Sequence, residues 1–275
     1  MPEGDAVWRT ARRLHEALAD REISLWELRW AELGASDRRG RTTIEVVPRG
    51  KHILQRLDDG WTLHSHLRIE GRWAVVPPGG PGHRNRADPF VRALVGSAAA
   101  VAIGRRLGML DLVPTACEPD LVGHLGPDLL GPDWDADRAV ANLLGRPGRS
   151  LGAALLDQTN LAGIGTMWCA EICFLERVSP WMPVGEVDAG ALGAIAARAH
   201  RLLAGSLAHR ESVSTGNPRR PLFIHGRAGR PCPRCGTPIS VAEVGEPQVR
   251  RTLHHCPRCQ QGATPEDRAP RPGIR

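Results

Sequence analysis

The sequence predicts an α+β multidomain protein: an N-terminal β-sandwich with a leading helix, a helical domain, and a C-terminal four-cysteine β-hairpin. Three observations carry this. Short segments rich in Val, Ile, Leu and Trp alternate with turn signals from Glu22 to about Val113, helix-period patterns with capping residues follow, and two Cys-x-x-Cys pairs stand near the C-terminus. A chain of 275 residues has room for two domains of ordinary size, each with its own core.

The leading helix is expected from Asp5 to Ala19, where Val7, Ala11, Leu14 and Leu18 make one apolar stripe and Arg9, Arg12, Arg13 and Glu16 lie elsewhere. The strands after it are punctuated by Asp58-Asp59-Gly60, Pro77-Pro78-Gly79-Gly80 and Asp88-Pro89. Residues 1–115 are therefore read as the β body, most simply a sandwich, and the Pro-, Gly- and Asp-rich residues 116–134 as a linker. Helices are expected from Asp135 to Leu144, Ser150 to Asp157, Thr166 to Leu175 and Asp188 to Ala204, with Asp135, Ser150 and Asp188 as N-caps, within a domain spanning 135–222. The glycine-containing turn from Gln158 to Gly165 makes a helix-turn-helix, an arrangement that aims helix N–H groups at a phosphate. Cys117, Cys169 and Cys173 read as small buried hydrophobes.

Cys232-Pro-Arg-Cys235 and Cys256-Pro-Arg-Cys259 are separated by 20 residues, the spacing of a four-thiolate zinc site on two turns. Four thiolates leave no open coordination position, so one Zn²⁺ would be structural and would supply folding free energy to residues 223–260. Disulfides are the rival reading, disfavoured by an intracellular setting, and His254 and His255 are alternative ligands. Between the pairs, Ile239 to Val244 and Gln248 to His254 suggest a hairpin. Residues 261–275 read as a disordered tail.

Charge narrows the partner. The formal net charge is +6 and the sequence pI near 9.3, and residues 217–260 alone hold eight arginines against Glu243 and Glu246. This favours an anionic, phosphate-bearing partner, although a solvated basic tail would look similar. No run of 18 apolar residues occurs and the first 19 residues carry charge throughout, so neither membrane insertion nor secretion is expected, and a cytoplasmic, nucleoid-associated monomer is.

Two features carry chemistry. Removal of Met1 would expose Pro2, a secondary amine beside the carboxylate of Glu3; its iminium with an aldehyde has no N–H to lose, stays cationic and promotes elimination at the adjacent carbon. An α-amine titrates near ~7.7–8.0, which leaves a useful neutral fraction without a dedicated base. The ordinary reading is a small second residue exposed by routine methionine removal. Lys51 is the only lysine in a chain whose other basic residues are all arginine, as expected where a compact charge or a titrating amine is required, or from codon bias.

Together these residues resemble the formamidopyrimidine-DNA glycosylase and endonuclease VIII family. The resemblance rests on Pro2-Glu3-Gly4, Arg49-Gly50-Lys51-His52, His124-Leu125-Gly126-Pro127-Asp128-Leu129, Leu155-Leu156-Asp157-Gln158 through Gly163-Ile164-Gly165, Glu171, Gly226-Arg227-Ala228-Gly229, and Arg251 and Gln260 around the cysteine quartet. It implies a β-sandwich, a helix-two-turn-helix domain and a zinc finger that grip damaged double-stranded DNA. It also implies roles: Pro2 attacks the deoxyribose C1′, Glu3 assists ring opening and shuttles protons, and Lys51 holds a phosphate and aids proton transfer. Arg251 would clamp the phosphates flanking an extruded nucleotide, while Arg68, Ile69 and Glu70 occupy the loop that fills the vacated space, with Ile69 as wedge or as a plain strand-end residue.

The chain departs from the family pattern in places. Thr166 stands where asparagine commonly contacts phosphate, Trp168 where tyrosine is frequent, and Ala6 where many members have glutamate. The opening Pro-Glu-Gly-Asp and the short stretch from Glu211 to Phe223 lean toward the endonuclease VIII-like branch. The expected function is thus a bifunctional DNA glycosylase and AP lyase of base excision repair acting on oxidised pyrimidines with β- and δ-elimination. The alternatives are the same chemistry on oxidised purines, and a catalytically impaired zinc-dependent DNA-binding protein.

Overall fold

A computed structural model describes residues 2–80 and 88–265. Met1, and hence its removal, lies outside the described residues, as do residues 266–275 of the expected tail. Two compact units make up the chain, one ending at His124 and the other beginning at Leu125, a division inside the stretch 116–134. Among the described residues no helix is long and apolar enough to cross a membrane.

The first unit is the expected sandwich. After α1 (Gly4–Leu18) come β1 (Arg21–Glu22), β2 (Leu25–Leu28), β3 (Thr42–Arg49), β4 (His52–Leu57), β5 (Trp61–His66), β6 (Arg72–Val76), β7 (Val91–Gly96), β8 (Val101–Arg105) and β9 (Met109–Pro114). One sheet has the order β1-β3-β4-β5-β9 and the other β2-β7-β8-β6. Ile53, Leu63 and Leu110 of the first sheet share a core with Trp26, Trp73, Val95 and Ala102 of the second. Trp73 also donates its indole N–H to Ser65 Oγ at 3.1 Å, so the one polar atom of that large side chain is satisfied inside the sandwich. The stripe Val7, Ala11, Leu14 and Leu18 is buried in the same core, which is why the helix forms where the 3.6-residue period places it.

Two hydrogen bonds set the direction of α1 on β3. The backbone N–H of Val46 donates to His15 Nδ1 at 3.1 Å, and that of Asp20, just past the helix, to the Thr43 carbonyl at 2.8 Å. Helix and strand therefore run antiparallel. From His15 back to Pro2 the helix covers about 19 Å, and from Val46 on to Lys51 the strand covers roughly 16 Å. Pro2 and the β3–β4 turn thus lie at the same end of the unit.

Residues 115–124 are not an open connection. A short helix, α2 (Glu118–Val122), follows β9, and the buried Glu118 carboxylate takes Arg56 Nε and Nη2 at 2.8 and 2.7 Å and the Thr62 hydroxyl at 2.6 Å. Proline and glycine content hides this segment from a periodicity reading, because one buried carboxylate rather than an apolar stripe fastens it to the sheet. Cys117, expected to be buried, is partly exposed beside it.

The second unit holds α3 (Ala136–Leu144), α4 (Leu151–Leu156), α5 (Thr166–Leu175), α6 (Ala189–Ser206) and a hairpin of β10 (Ser240–Val244) and β11 (Arg251–His255). Asp135 and Asp188 cap their helices by accepting from Arg138 and Ala191 N–H groups. Ser150 occupies the N-cap position of α4 without a side-chain cap bond and instead bridges to Pro183 through its backbone. Cys169, Cys173, Trp168, Phe174 and Trp181 are buried in a core that also takes Ile239, Val244 and Leu253 from the cysteine-rich segment. Helices and hairpin consequently share one core, an arrangement that binary patterning of each segment does not reveal. Gly152 of α4 leaves room for one such approach: an added Cβ would lie 2.9 Å from Pro180 Cβ and 3.1 Å from Leu253 Cδ1.

Candidate active site

Pro2 leads into α1 through Glu3, whose backbone is extended (φ −107°, ψ −178°) while its carbonyl already accepts the Val7 N–H at 3.0 Å. The partly exposed Pro2 therefore stands just off the helix start, whereas the Glu3 side chain is buried. Asp5, also fully buried, pairs with Arg9 at 3.0 Å one turn on. Lys51 is the second residue of the two-residue turn that joins β3 to β4, closed by the Arg49 and His52 pair. Gly50 supplies the left-handed conformation (φ 57°) that the turn requires. Lys51 is buried, and its charge helps to hold the nearby His66 neutral.

Beside this turn one face of the five-stranded sheet carries a histidine cluster. His66 pairs with His52 across β5 and β4, His64 pairs with Asp111 across β5 and β9, and the two-residue period puts all four on the same side. His64 Nδ1 lies 2.8 Å from Asp111 Oδ2, and its Nε2 lies 2.8 Å from His52 Nδ1. His52 also meets His66 edge-on at 4.8 Å between ring centroids and His124 at 6.5 Å. Burial, followed by neighbouring histidines and Arg68, pulls the His52 imidazole down to about 3. Burial and the Arg68 charge pull His66 down to about 4. For His64, burial outweighs the upward pull of Asp111, and the net direction is down.

The loop after β5 projects the residues expected at a DNA stack. Gly71 N–H closes on the Leu67 carbonyl at 2.9 Å, Arg68 takes a left-handed backbone (φ 54°), and Ile69 is left 73% exposed. Ile69 is thus on a turn, not at a strand end, and a large aliphatic residue that exposed has no packing role of its own. Arg68 and Glu70 are held by Met109 and Arg106, respectively.

In the second unit the turn between α4 and α5 is stitched by Gln158. Its amide nitrogen donates to the Leu156 and Ile164 carbonyls at 2.9 Å each, and its oxygen accepts the Gly163 N–H at 3.0 Å. Gly163 sits at φ 112°, a conformation closed to residues with a Cβ. Thr166 becomes the first residue of α5, with Gly165 at its N-cap. Asp157, Gln158, Val249 and the exposed Arg251 line one groove of about 280 Å³, so the hairpin arginine and the helix-turn-helix face the same cleft.

The sulfurs of Cys232, Cys235, Cys256 and Cys259 lie within 4.8 Å of one another, the only such cluster among the described residues. Cys232 and Cys259 are 3.9 Å apart and Cys235 and Cys256 3.5 Å, near the ~3.8 Å edge of a tetrahedron of zinc thiolates and far beyond the ~2.05 Å of a disulfide. Hydrogen bonds from Thr237 bring the Cys235 thiol down to about 6, whereas burial and the other three sulfurs push Cys259 up to about 12. Crowded thiols of this kind ionise together only beside a cation, which fits a divalent soft metal. His254 and His255 do not enter the cluster.

Glu171 was legible only as part of a motif, and its position gives it a definite task. Fully buried on α5, its carboxylate accepts the Ser214 hydroxyl at 2.5 Å and the backbone N–H groups of Phe223, Ile224 and His225 at 2.8, 2.9 and 2.8 Å. The segment between α6 and the cysteines is thereby folded onto the helical core. A lone glutamate inside an otherwise apolar helix such as Met167 to Leu175 is the signal that marks such an anchor.

Glu171→Gln keeps the shape but replaces one acceptor oxygen with a donor that meets backbone N–H groups, so it should cost about 2 kcal/mol or more. A lower thermal midpoint and faster proteolysis between Thr215 and Arg220 are expected; an unchanged proteolytic pattern would contradict the anchoring role. The histidine face gives a second expectation. Its imidazoles are held below the ordinary value of 6.5, so as pH falls the unfolded chain takes up protons first and stability declines from about pH 6.5 toward pH 4. Thermal melts between about pH 7.5 and 5 should show this decline, and His66→Asn should flatten it; an identical slope in the variant would refute the assignment.

Residues 1–109 match the formamidopyrimidine-DNA glycosylase N-terminal domain. The chain is 48% identical over 280 residues to a protein of Streptomyces coelicolor named probable endonuclease 8 2, with 100% of this chain and 98% of the relative covered. It is 38% identical to the DNA-(apurinic or apyrimidinic site) lyase Nei2 of Mycolicibacterium smegmatis over 94% of this chain and 99% of that one. Its fold matches the formamidopyrimidine-DNA glycosylase of Lactococcus lactis, solved with DNA containing an abasic site, at a TM-score of 0.80 and 23% identity, covering 94% of this chain and 100% of that one. With sandwich, helix-turn-helix and cysteine quartet all in place, the chain belongs to the formamidopyrimidine-DNA glycosylase and endonuclease VIII family.

Proposed function

We propose that this protein is a bifunctional DNA glycosylase and AP lyase of base excision repair that acts through Pro2. The observation that carries the reading is the antiparallel seam of α1 on β3, which leaves the imino residue, the Glu3 carboxylate and the only lysine at one end of the sandwich. Pro2, freed of Met1, attacks C1′ of the damaged nucleoside, the base departs, and the iminium acidifies the C2′ hydrogen. Glu3, shielded from water, exchanges protons with the opening sugar. Lys51 supplies a fixed positive charge for a phosphate oxygen and aids proton transfer, and its buried stem keeps the ammonium in place.

Damaged double-stranded DNA is the proposed partner of a monomer. Ile69 enters the space left by the flipped nucleotide with Arg68 beside it, and Arg251 binds the flanking phosphates. Thr166 offers its hydroxyl and N–H at the start of α5 in place of an asparagine side chain, a difference of about 0.5–1.5 kcal/mol. Cys232, Cys235, Cys256 and Cys259 would hold one structural Zn²⁺, which braces the hairpin carrying Arg251 and takes no part in the reaction. Oxidised pyrimidines are the proposed substrates, supported by the high identity to relatives named endonuclease 8.

Single-turnover assays on duplexes with thymine glycol, 8-oxoguanine or a preformed abasic site test the reading. Cleavage of the abasic strand to β- and δ-elimination products, with faster release of thymine glycol than of 8-oxoguanine, is expected. Folded protein that leaves the abasic strand intact would overturn the lyase assignment, and faster 8-oxoguanine release would overturn the pyrimidine preference alone.

A further inference from the structure

The chain of contacts from Asp111 through His64 to His52 has no task in the chemistry above. An ionised Asp111 only accepts, so its 2.8 Å contact requires the proton of neutral His64 on Nδ1. His64 Nε2 is then a lone pair, and the 2.8 Å contact with His52 Nδ1 requires the proton of His52 on that nitrogen. His52 Nε2 is left as the basic end, on the residue next to Lys51 in the turn-proximal pair of β4. At the other end, the Asp111 side chain is 39% exposed, while His64 between them is fully buried. Each link has a single donor and a single acceptor, so a proton arriving at His52 Nε2 can move the whole chain one step and appear at the water-accessible carboxylate.

Resting on the lyase reading, we propose that His52, His64 and Asp111 form a proton relay that drains the Lys51 end of the sandwich to solvent. The reaction supplies the proton. In β-elimination the C2′–H bond breaks, its electron pair becomes the C2′–C3′ double bond, the C3′–O bond breaks, and the phosphate leaves with that pair. One proton remains with the protein for each strand cut, and nothing is oxidised or reduced. It passes to His52 Nε2 as the His52 Nδ1 proton goes to His64 Nε2 and the His64 Nδ1 proton to Asp111. The surrounding charges favour onward movement over storage. Burial and the Arg68 guanidinium oppose a cation on His52, while Asp111 and Glu118 face His64 and attract it. His64 and Asp111 are positioning residues for this path, and neither needs to touch DNA.

Single-turnover cleavage of a preformed abasic duplex by the full chain tests the relay, with parent, His52→Ala, His64→Gln and Asp111→Asn compared. His64→Gln and His52→Ala should cut about tenfold or more slowly, a smaller loss than the ~10²–10⁴-fold that follows removal of a general acid or base itself. Affinity for a tetrahydrofuran duplex and the thermal midpoint should be retained, and added imidazole should restore much of the His52→Ala rate. Asp111→Asn can still accept from His64 but not take its proton, and should resemble His64→Gln. Variants that cleave within about twofold of the parent would overturn the relay, as would losses that imidazole does not rescue and that follow affinity or thermal midpoint. A parent protein that fails to cleave would instead sink the lyase reading, and the relay with it.

Discussion

The seam between α1 and β3 is the constraint on which the proposed chemistry depends. Four apolar side chains on one helical stripe fix the helix over the sandwich core, and the Val46 N–H on His15 and the Asp20 N–H on Thr43 fix its direction. Had the helix run the other way, Pro2 and the β3–β4 turn would lie at opposite ends of the unit. A terminal residue is ordinarily the least ordered part of a chain. With Met1 removed, as proposed, Pro2 would instead be tethered to the first turn of a buried helix, which would give a small imine-forming group the orientation that catalysis requires.

The second unit solves a different problem, which is holding polar loops against an apolar core. It does so with single buried side chains that each accept or donate several bonds. Gln158 closes the turn before α5, and Glu171 gathers three backbone N–H groups and a hydroxyl from the segment before the cysteines. Leu253 sinks the hairpin into the helical core against Gly152, and Trp181 donates to the Glu243 carbonyl at 2.8 Å. Arg251 inherits its place from these contacts, because the groove it lines is formed by the hairpin on one side and the turn of Gln158 on the other.

Local pattern made much of this legible. The stripe of α1, the apolar segments set between turn signals in the β body, the N-caps at Asp135 and Asp188 and the cysteine spacing each encode one element through nearest neighbours. What escaped was long-range and polar. The stretch after β9 read as a linker because its attachment is Glu118 reaching Arg56 and Thr62, residues 62 and 56 positions away in sequence. The histidine face escaped for the same reason: His52, His64 and Asp111 stand on three strands, and only the register aligns them. Pro2, Glu3 and Lys51 were readable as chemistry, but that they share an end of the sandwich follows from the helix direction, which no single segment encodes.

The most direct measurement is to reduce the protein with borohydride while it acts on an abasic duplex and to map the cross-linked peptide by mass spectrometry. A deoxyribose remnant on a peptide that begins at Pro2, with Met1 gone, is the predicted result. A remnant on the peptide containing Lys51, or a trapped chain that still carries Met1, would contradict the assignment of the imino group as nucleophile.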